Sequence, residues 1–387
     1  MRRIVVGLLA ALSLACSNAT NPLVDSKAER AVTQAPGSIP YIQGVHAAAL
    51  PAFDDPALVP RAFNDWGEVV GDSFNLASST PSTVFKWQAT RGFQFLQLNP
   101  DSTPFASAVA VNDHGQVAVQ LQPVGQPIEA TIWDWFGKVK VLRPLGRGFS
   151  CEPKSMNNSG IVLALCYVPG QSPGANTYPT VWTPFGNPDG LYVGGGGSPI
   201  LGLVGSISDA GYIAGQTPNS TGFLFTPTKQ EVLLLPARAT YPTLLGAGVN
   251  DSGWVAGMVF DTIHLHFEPA VWTRNDSLYL PYPASSQEGS MNSISDDGIA
   301  VGGVVDSVTG LGVPVIWTRA NGLQRLPGLE GSALLAKESG TAGAINHVHQ
   351  ILGNIVMSTG QNRVVMWTLP DSPALVAQMA ARMPPPK

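Results

Sequence analysis

Hydrophobic and polar positions along the chain follow one pattern that repeats seven times. In each copy, an apolar segment reaches Asn or Ser, then two further residues and Gly, and a second apolar segment follows. The fourth position of this turn holds Gly67, Gly115, Gly160, Gly211, Gly253 and Gly298, and in the last copy His349. These positions lie 48, 45, 51, 42, 45 and 51 residues apart. Self-similarity at such a period predicts a repeat architecture.

An aromatic residue marks the same place in every repeat. An apolar stretch ends in it 14 to 22 residues after the turn. The aromatic positions are Trp87, Trp133, Trp182, Phe225, Trp272, Trp317 and Trp367. Because an aromatic ring buries a large apolar area, we expect these side chains to pack between neighbouring repeats.

Each repeat has the pattern of a four-stranded antiparallel sheet. Asn or Ser first and Gly fourth is typical of a type I turn whose Gly adopts the left-handed conformation and forms a bulge. Alternating residues on both sides predict two paired strands, and the stretch that ends in the aromatic residue predicts a third. Weaker segments such as residues 93–96 and 232–235 predict a fourth. Four strands in about 47 residues is the size of a propeller blade, so we predict an all-β, seven-bladed β-propeller over residues 41–370.

The ends of the predicted propeller suggest how the ring closes. After Trp367 the chain contains several prolines and an Ala-rich stretch, with no fourth strand visible. An unpaired apolar stretch, residues 41–50, precedes the first turn instead. We therefore predict that an N-terminal strand completes the last blade, which removes an exposed sheet edge.

The amino terminus has the pattern of an export signal. Arg2 and Arg3 precede an apolar run over residues 4–14, which is too short to span a bilayer but suits a signal peptide. The run ends in Ser-Leu-Ala-Cys at residues 13–16, which resembles the lipobox of bacterial lipoproteins. This resemblance implies a signal peptide over residues 1–15 and lipidation of Cys16. The alternative is ordinary cleavage without lipid.

The segments outside the repeat indicate where the protein resides. Residues 16–40 are small and polar, which predicts a flexible tether, and residues 371–387 form a C-terminal tail. Residue 17 is Ser, whereas Asp there is the inner-membrane retention signal of diderm lipoproteins. We therefore expect a membrane-anchored lipoprotein of the cell envelope or surface, in the outer membrane if the organism is diderm. The lipid would be its only membrane contact.

The repeat resembles the bacterial extracellular family called HAF repeats, whose units read aliphatic-Asn-x-x-Gly-x-Val-x-Gly and then His-Ala-Phe-x-Trp. The resemblance covers about residues 41–368. The Asn-x-x-Gly and Trp halves are present, but the His-Ala-Phe triplet is replaced, for example by Thr-Val-Phe at residues 83–85. The family implies secretion or a surface location and no general biochemical activity.

Two cysteines, Cys151 and Cys166, flank the turn that contains Gly160. Simple two-residue pairing would place them directly opposite each other, whereas a bulge would shift the register by one and Pro153 would disturb the ladder. An oxidising compartment favours a disulfide between them. Two buried free thiols are the alternative.

We find no set of catalytic or metal-binding residues in the sequence. The pairs His264/His266 and His347/His349 could each chelate a metal in a strand, but no third ligand is evident, so we expect neither metal nor cofactor. The Asp residues of the turns are expected to cap backbone groups. Charged residues make up 12% of the chain and the net charge is −5, which argues against nucleic-acid binding.

The remaining hypothesis is a monomeric, non-enzymatic binding module for an envelope protein or a polysaccharide. Propellers bind through their variable loops. The three tryptophans outside the repeat register, Trp66, Trp135 and Trp254, are therefore candidate binding residues, and core packing is their alternative role. A polysaccharide hydrolase or lyase with a site dispersed over several blades is the alternative function.

Overall fold

The computed structural model describes residues 39–75, 80–97, 105–170, 177–184, 188–191, 202–227, 231–235, 244–274, 278–279, 288–306, 309–329 and 338–370. The signal peptide, Cys16, most of the tether and the C-terminal tail that the sequence predicts lie outside these residues. Within them, no helix is long and apolar enough to cross a membrane.

The described residues form seven four-stranded antiparallel sheets, which confirms the seven-bladed β-propeller. Blade 1 contains β2 (Leu58–Phe63), β3 (Val69–Asn75), β4 (Thr80–Gln88) and β5 (Gly92–Phe95), and blade 2 contains β6 (Phe105–Val111), β7 (Val117–Gln122), β8 (Glu129–Trp133) and β9 (Val139–Val141). Blade 3 contains β10 (Ser150–Met156), β11 (Val162–Tyr167), β12 (Thr177–Trp182) and β13 (Pro188–Gly190), and blade 4 contains β14 (Leu203–Ile207), β15 (Ile213–Gln216), β16 (Gly222–Thr226) and β17 (Glu231–Leu234).

The remaining blades repeat the same order. Blade 5 contains β18 (Leu244–Val249), β19 (Val255–Asp261), β20 (His266–Trp272) and β21 (Leu278–Tyr279), and blade 6 contains β22 (Gly289–Ile294), β23 (Ala300–Val305), β24 (Gly312–Thr318) and β25 (Gly322–Arg325). Blade 7 contains β26 (Ser339–Ile345), β27 (Gln350–Val356) and β28 (Asn362–Thr368). We call the strands of each blade A to D in this order. A strands of successive blades contact each other, so they lie at the centre of the ring.

An N-terminal strand closes the ring, as the sequence predicts. β1 (His46–Ala49) pairs with β28 as the D strand of blade 7, and a short 3-10 helix, Pro51–Phe53, leads into blade 1. The propeller begins slightly earlier than expected. Ile39, which the sequence analysis places in the tether, is buried in the core of blade 6, and the carbonyl of Pro40 accepts a hydrogen bond from the Arg325 amide.

The turns between A and B strands have the geometry that the sequence predicts. The six turn glycines have φ between 69° and 84°, and His349 takes the same left-handed conformation with φ 58°. Every A–B pair also contains a register shift two to three residues before the turn, as between Ala108 and Ala110.

The repeated aromatic residues lie in the core. Trp133, Trp182, Trp272, Trp317 and Trp367 are fully buried and Phe225 is buried. Trp87 is only partly buried, at the edge of a cluster with Phe53 of the 3-10 helix and with Phe85. In blade 1, the fully buried aromatic side chain is Phe85.

Cys151 and Cys166 form a disulfide, with their Cα atoms 4.1 Å apart. They lie directly opposite each other in β10 and β11. The turn bulge shifts the register by one residue, as expected, but a second irregularity between Pro153 and Ser155 shifts it back. The two offsets cancel, so the cysteines meet.

Candidate functional site

The A–B turns of the seven blades lie at one end of the propeller and are hydrogen-bonded to one another. The first turn residue caps its own turn: the Asn64 Oδ1 atom accepts bonds from the backbone N–H groups of Trp66 and Glu68, at 3.1 and 3.0 Å. Its side-chain amide donates to the carbonyl of Asn112 in the next blade, at 3.0 Å. Asn112, Asn157, Asn250 and Asn346 donate in the same way to the following blade.

The second turn residue forms another inter-blade bond. Its side-chain oxygen accepts a backbone N–H of the preceding blade, as Asp113 does from the Asp65 amide at 3.0 Å. The other acceptors at this position are Asn158, Asp209, Asp251, Asp296 and Asp65. The turn Asp residues therefore do cap backbone groups, but the groups belong to a neighbouring blade.

Blade 7 departs from this pattern because His347 stands at the second turn position. Its Nε2 atom lies 3.1 Å from Asp296 and its Nδ1 atom lies 3.3 Å from Asp65, so the imidazole joins blades 6, 7 and 1. Hydrogen bonds to Asp296 and Asp65 raise the pKa of His347 to about 11. His349 makes a parallel contact, 2.8 Å from Asp297. The histidine pair that the sequence presents as a possible chelate therefore contacts carboxylates of neighbouring blades.

On the same end of the propeller, Trp66 and Trp135 line a cleft between blades 1 and 2. The cleft measures about 290 Å³. Trp66 and Trp135 are 42% and 43% exposed, so both indoles are accessible from solvent in part. The Trp66 Nε1–H group donates to the carbonyl of Asp113 at 3.0 Å, which fixes its ring. The cleft is further lined by Asn64, Glu68, Gln88, Arg91, Asp113, His114 and Gly115.

The position of Trp135 depends on a glycine. Trp135 lies in the turn after β8, and its ring packs over Gly115 of the A–B turn in the same blade. A Cβ atom at Gly115 would lie 2.7 Å from the Trp135 Cε3 atom. The Arg91 guanidinium covers the other part of the indole, 4.3 Å from the ring centroid.

A buried lysine, Lys86, is hydrogen-bonded to the backbone beside the cleft. Lys86 is 2% exposed, and its ammonium donates to the carbonyls of Gly115 and Asp134 at 2.8 and 3.1 Å. It also lies 4.6 Å from the centroid of the Trp133 ring. Burial lowers the pKa of Lys86, and the negative charges of Glu68 and Asp134 oppose this effect.

Two carboxyl groups of the cleft have raised pKa values. Burial raises the pKa of Glu68, and this outweighs the opposing effects of Lys86, Arg91 and Asn64. Burial and the nearby charge of Asp65 raise the pKa of Asp113. Perturbed carboxyl groups in a concave site are typical of functional sites.

The three candidate tryptophans thus separate into two environments. Trp66 and Trp135 share the cleft, whereas Trp254 lies partly buried against the core of blade 6, with its ring over Gly298. Sequence reasoning missed Glu68, Arg91 and the other polar lining residues. The one available signal was the polar character of the residue directly after the turn glycine, as at Glu68 and Gln116.

Two groups of side chains have the spacing that a metal ion needs. Asp65, Asp113 and His347 bring three donor atoms within 4.8 Å of one another, and so do Asp261, His266 and Glu268. The first group belongs to the ring of turns, where both imidazole nitrogens of His347 already face carboxylates. The second group contains His266 without His264, and its other two donors are the carboxylates of Asp261 and Glu268.

Solved structures place the chain among β-propeller proteins. A catalytically inactive virginiamycin B lyase from Staphylococcus aureus with quinupristin shares 10% identity over 84% of this chain and 99% of that chain, with a TM-score of 0.50. YCF48 bound to D1 peptide shares 13% identity over 87% of this chain and 99% of that chain, also with a TM-score of 0.50. An oligogalacturonate lyase from Vibrio parahaemolyticus shares 9% identity over 87% and 99%, with a TM-score of 0.52.

These similarities establish the fold and not the activity. No protein-family model matches the sequence, and no curated protein sequence matches it. The solved propellers include both lyases and a peptide-bound protein. The fold therefore does not define the function.

Proposed function

We propose that this protein is a non-enzymatic glycan-binding propeller, and that the Trp66–Trp135 cleft is its binding site. The observation that carries the proposal is the pair of exposed indoles beside a polar cleft floor. In a chain with 12% charged residues, this cleft combines aromatic, acidic, basic and amide side chains within a small volume.

The chemistry of a sugar matches this arrangement. A pyranose has an apolar face of C–H groups, which packs against the electron-rich face of an aromatic ring. Its hydroxyl groups need donors and acceptors at the rim, and Gln88, His114 and Asp113 line the same cleft. Pockets of this kind obtain most of their contact from aromatic walls and their specificity from a few polar groups.

The hydrogen bonds that hold the cleft also favour binding without large rearrangement. Trp66 is fixed through Asp113, and Trp135 is held between Gly115 and Arg91. A ligand therefore loses little affinity to the ordering of these side chains. A flexible glycan loses conformational entropy when it binds, so a site with preordered aromatic side chains favours its binding.

An envelope location agrees with this function and is part of the proposal. The signal-like amino terminus and the lipobox-like Cys16 support export and lipid anchoring, and the repeat supports membership of the HAF-repeat family. The Cys151–Cys166 disulfide favours an oxidising compartment. Envelope and extracellular polysaccharides would then be the accessible glycans.

A second candidate function is cleavage of a polysaccharide in the same cleft. Burial raises the pKa of Glu68 and of Asp113, and this favours cleavage because a higher pKa moves a carboxyl group towards the range in which it can donate a proton as a general acid. Binding and cleavage would use the same side chains of the cleft, so the experiment must distinguish the two functions.

The test is a glycan-array screen of the purified full-length protein, followed by calorimetric titration of the best ligand. We expect W66A and W135A each to weaken binding about ten- to thirtyfold, as for an aromatic hot spot. L265A is the matched control, because it removes an exposed apolar side chain from another blade. Binding that is equal in W66A, W135A and wild type would refute the site.

The same ligand is then incubated with the protein and analysed for new reducing ends and unsaturated products. Intact ligand supports the binding module. Products that disappear in E68Q would establish the enzyme instead. If no glycan binds in the array and the cleft captures a protein instead, the ligand is a protein and the glycan proposal is wrong.

A further inference from the structure

The hairpin between β19 and β20 in blade 5 brings carboxylate and imidazole groups together. Asp261 ends β19, His266 begins β20, and the two lie opposite each other in the sheet. Glu268 is two residues further along β20, so its side chain lies on the same face as that of His266. B–C turns lie at the opposite end of the blade from A–B turns. This group is therefore remote from the Trp66–Trp135 cleft.

The donor atoms of these three residues converge. One atom from each of Asp261, His266 and Glu268 lies within 4.8 Å of the other two. The side chains are 1%, 18% and 4% exposed, so the group is nearly closed to solvent. His264 lies beside it, with its Nδ1 atom 2.5 Å from the Asp261 carboxylate and its ring centroid 5.7 Å from that of His266.

The backbone of the turn holds this arrangement. The Asp261 carboxylate accepts backbone N–H bonds from Ile263 and His264, at 2.7 and 3.3 Å. Leu265 adopts a left-handed conformation with φ 55°, which directs the chain from His264 back into β20. Residues other than Gly rarely adopt this conformation without a local reason.

One atom of the group has an unsatisfied hydrogen-bonding capacity. The His266 Nε2 atom is buried and makes no hydrogen bond among the described residues, although the Glu268 Oε1 atom lies 3.3 Å away. Buried polar atoms in proteins are paired with a protein group, an ordered water or an ion.

We infer that Asp261, His266 and Glu268 bind a divalent first-row transition-metal ion, with His264 at the open side. Imidazole with two carboxylates is a donor set that suits Zn²⁺, Mn²⁺ and Fe²⁺. The group differs from Asp65, Asp113 and His347, whose imidazole is already held between two carboxylates. A bound ion would fix the hairpin tip, where Ile263 and Leu265 are 68% and 73% exposed.

The test uses Co²⁺ as a spectroscopic probe on EDTA-treated, full-length protein. We expect visible ligand-field bands that saturate at a single equivalent and are displaced by Zn²⁺. H266A should weaken Co²⁺ binding at least about 100-fold, because even indirect partners of metal ligands cost 10–100-fold. E268Q should weaken it as well while keeping the shape of the side chain.

H46A is the matched control, because His46 is an exposed histidine of β1 in blade 7. It should bind Co²⁺ like the wild type. Circular dichroism melts establish that each variant is folded. The inference is overturned if the wild type shows no saturable bands, or if folded H266A and E268Q keep the wild-type bands.

Discussion

The imidazole of His347 lies 3.1 Å from the carboxylate of Asp296 and joins the seventh blade to the sixth. At the other six junctions, a side-chain oxygen of the second turn residue accepts a backbone N–H of the preceding blade. At the junction between blades 6 and 7, the ion pair between His347 and Asp296 takes the place of this bond.

We predict that H347A lowers stability in a pH-dependent manner. The pKa of His347 is raised to about 11 in the folded protein, against about 6.5 in an unfolded chain. The ion pair therefore stabilises fully below about pH 6.5, and its contribution declines as the pH rises towards 11. Because 39% of the side chain is exposed, screening limits the loss in H347A to about 1 kcal/mol at pH 6.

The measurement is urea unfolding of the wild type, H347A and H46A at pH 6 and pH 9. The difference between the wild type and H347A should shrink at the higher pH, and H46A should behave like the wild type. A difference that grows with pH would contradict the ion pair.

The inter-blade amide can be tested at Asn250. Its Oδ1 atom caps the Ser252 and Trp254 amides at 3.1 and 2.8 Å, and its Nδ2 atom donates to the Ser295 carbonyl at 2.9 Å. N250A removes all three bonds from a buried site, so we expect a loss of about 2–3 kcal/mol.

The chain itself offers the control substitution. Blade 4 has Ser208 in the equivalent place, which caps the Tyr212 amide within its own turn at 3.3 Å. N250S should therefore keep the cap, lose the inter-blade bond and fall between N250A and the wild type in chemical denaturation. Equal losses in N250A and N250S would mean that the local cap contributes nothing.

Comparing alanine substitutions at Gly115 and Gly67 distinguishes the effect of backbone strain from the effect of displacing Trp135. Both have φ near 70°, so alanine at either position costs about 1 kcal/mol of strain. A Cβ atom at Gly67 meets nothing within 4 Å, whereas one at Gly115 would displace Trp135. G115A should therefore weaken ligand binding and shift tryptophan emission, while G67A should change only the unfolding midpoint.

The Cys151–Cys166 disulfide closes a loop with a sequence separation of 15 residues. Chain entropy predicts a stabilisation of about 3 kcal/mol for a loop of this size. Reduction by dithiothreitol should lower the denaturation midpoint of the wild type. A C151A/C166A variant should be less stable at the outset and insensitive to the reductant. If the reductant also lowers the midpoint of that variant, the loss seen in the wild type does not come from this disulfide.

The fold was predictable because its pattern is local. Turn glycines and aromatic residues recur with each blade, and the unpaired segment before blade 1 indicated the closing strand. The contacts between blades were not predictable. The Asn64 amide reaches Asn112, and the position of His347 between Asp296 and Asp65 depends on the ring being closed.

The candidate site was predicted only in part for the same reason. Trp66 and Trp135 stand out in the sequence because they lie outside the repeat register, but so does Trp254, which packs against blade 6. Trp66 precedes its turn glycine, Trp254 follows its own, and Trp135 lies in the turn after β8, so the three side chains start from different places in the repeat. The polar residues between them, such as Glu68, have no motif of their own.

The central claim is that a ligand contacts Trp66 and Trp135. The most direct measurement is an NMR titration of the indole N–H signals of the nine tryptophans, assigned by single Trp→Phe variants. On addition of the glycan selected by the array, the signals of Trp66 and Trp135 should shift and saturate together, while those of Trp254 and the buried tryptophans stay in place. Saturable shifts at Trp254 alone, or binding with no shift at Trp66 and Trp135, would contradict the account.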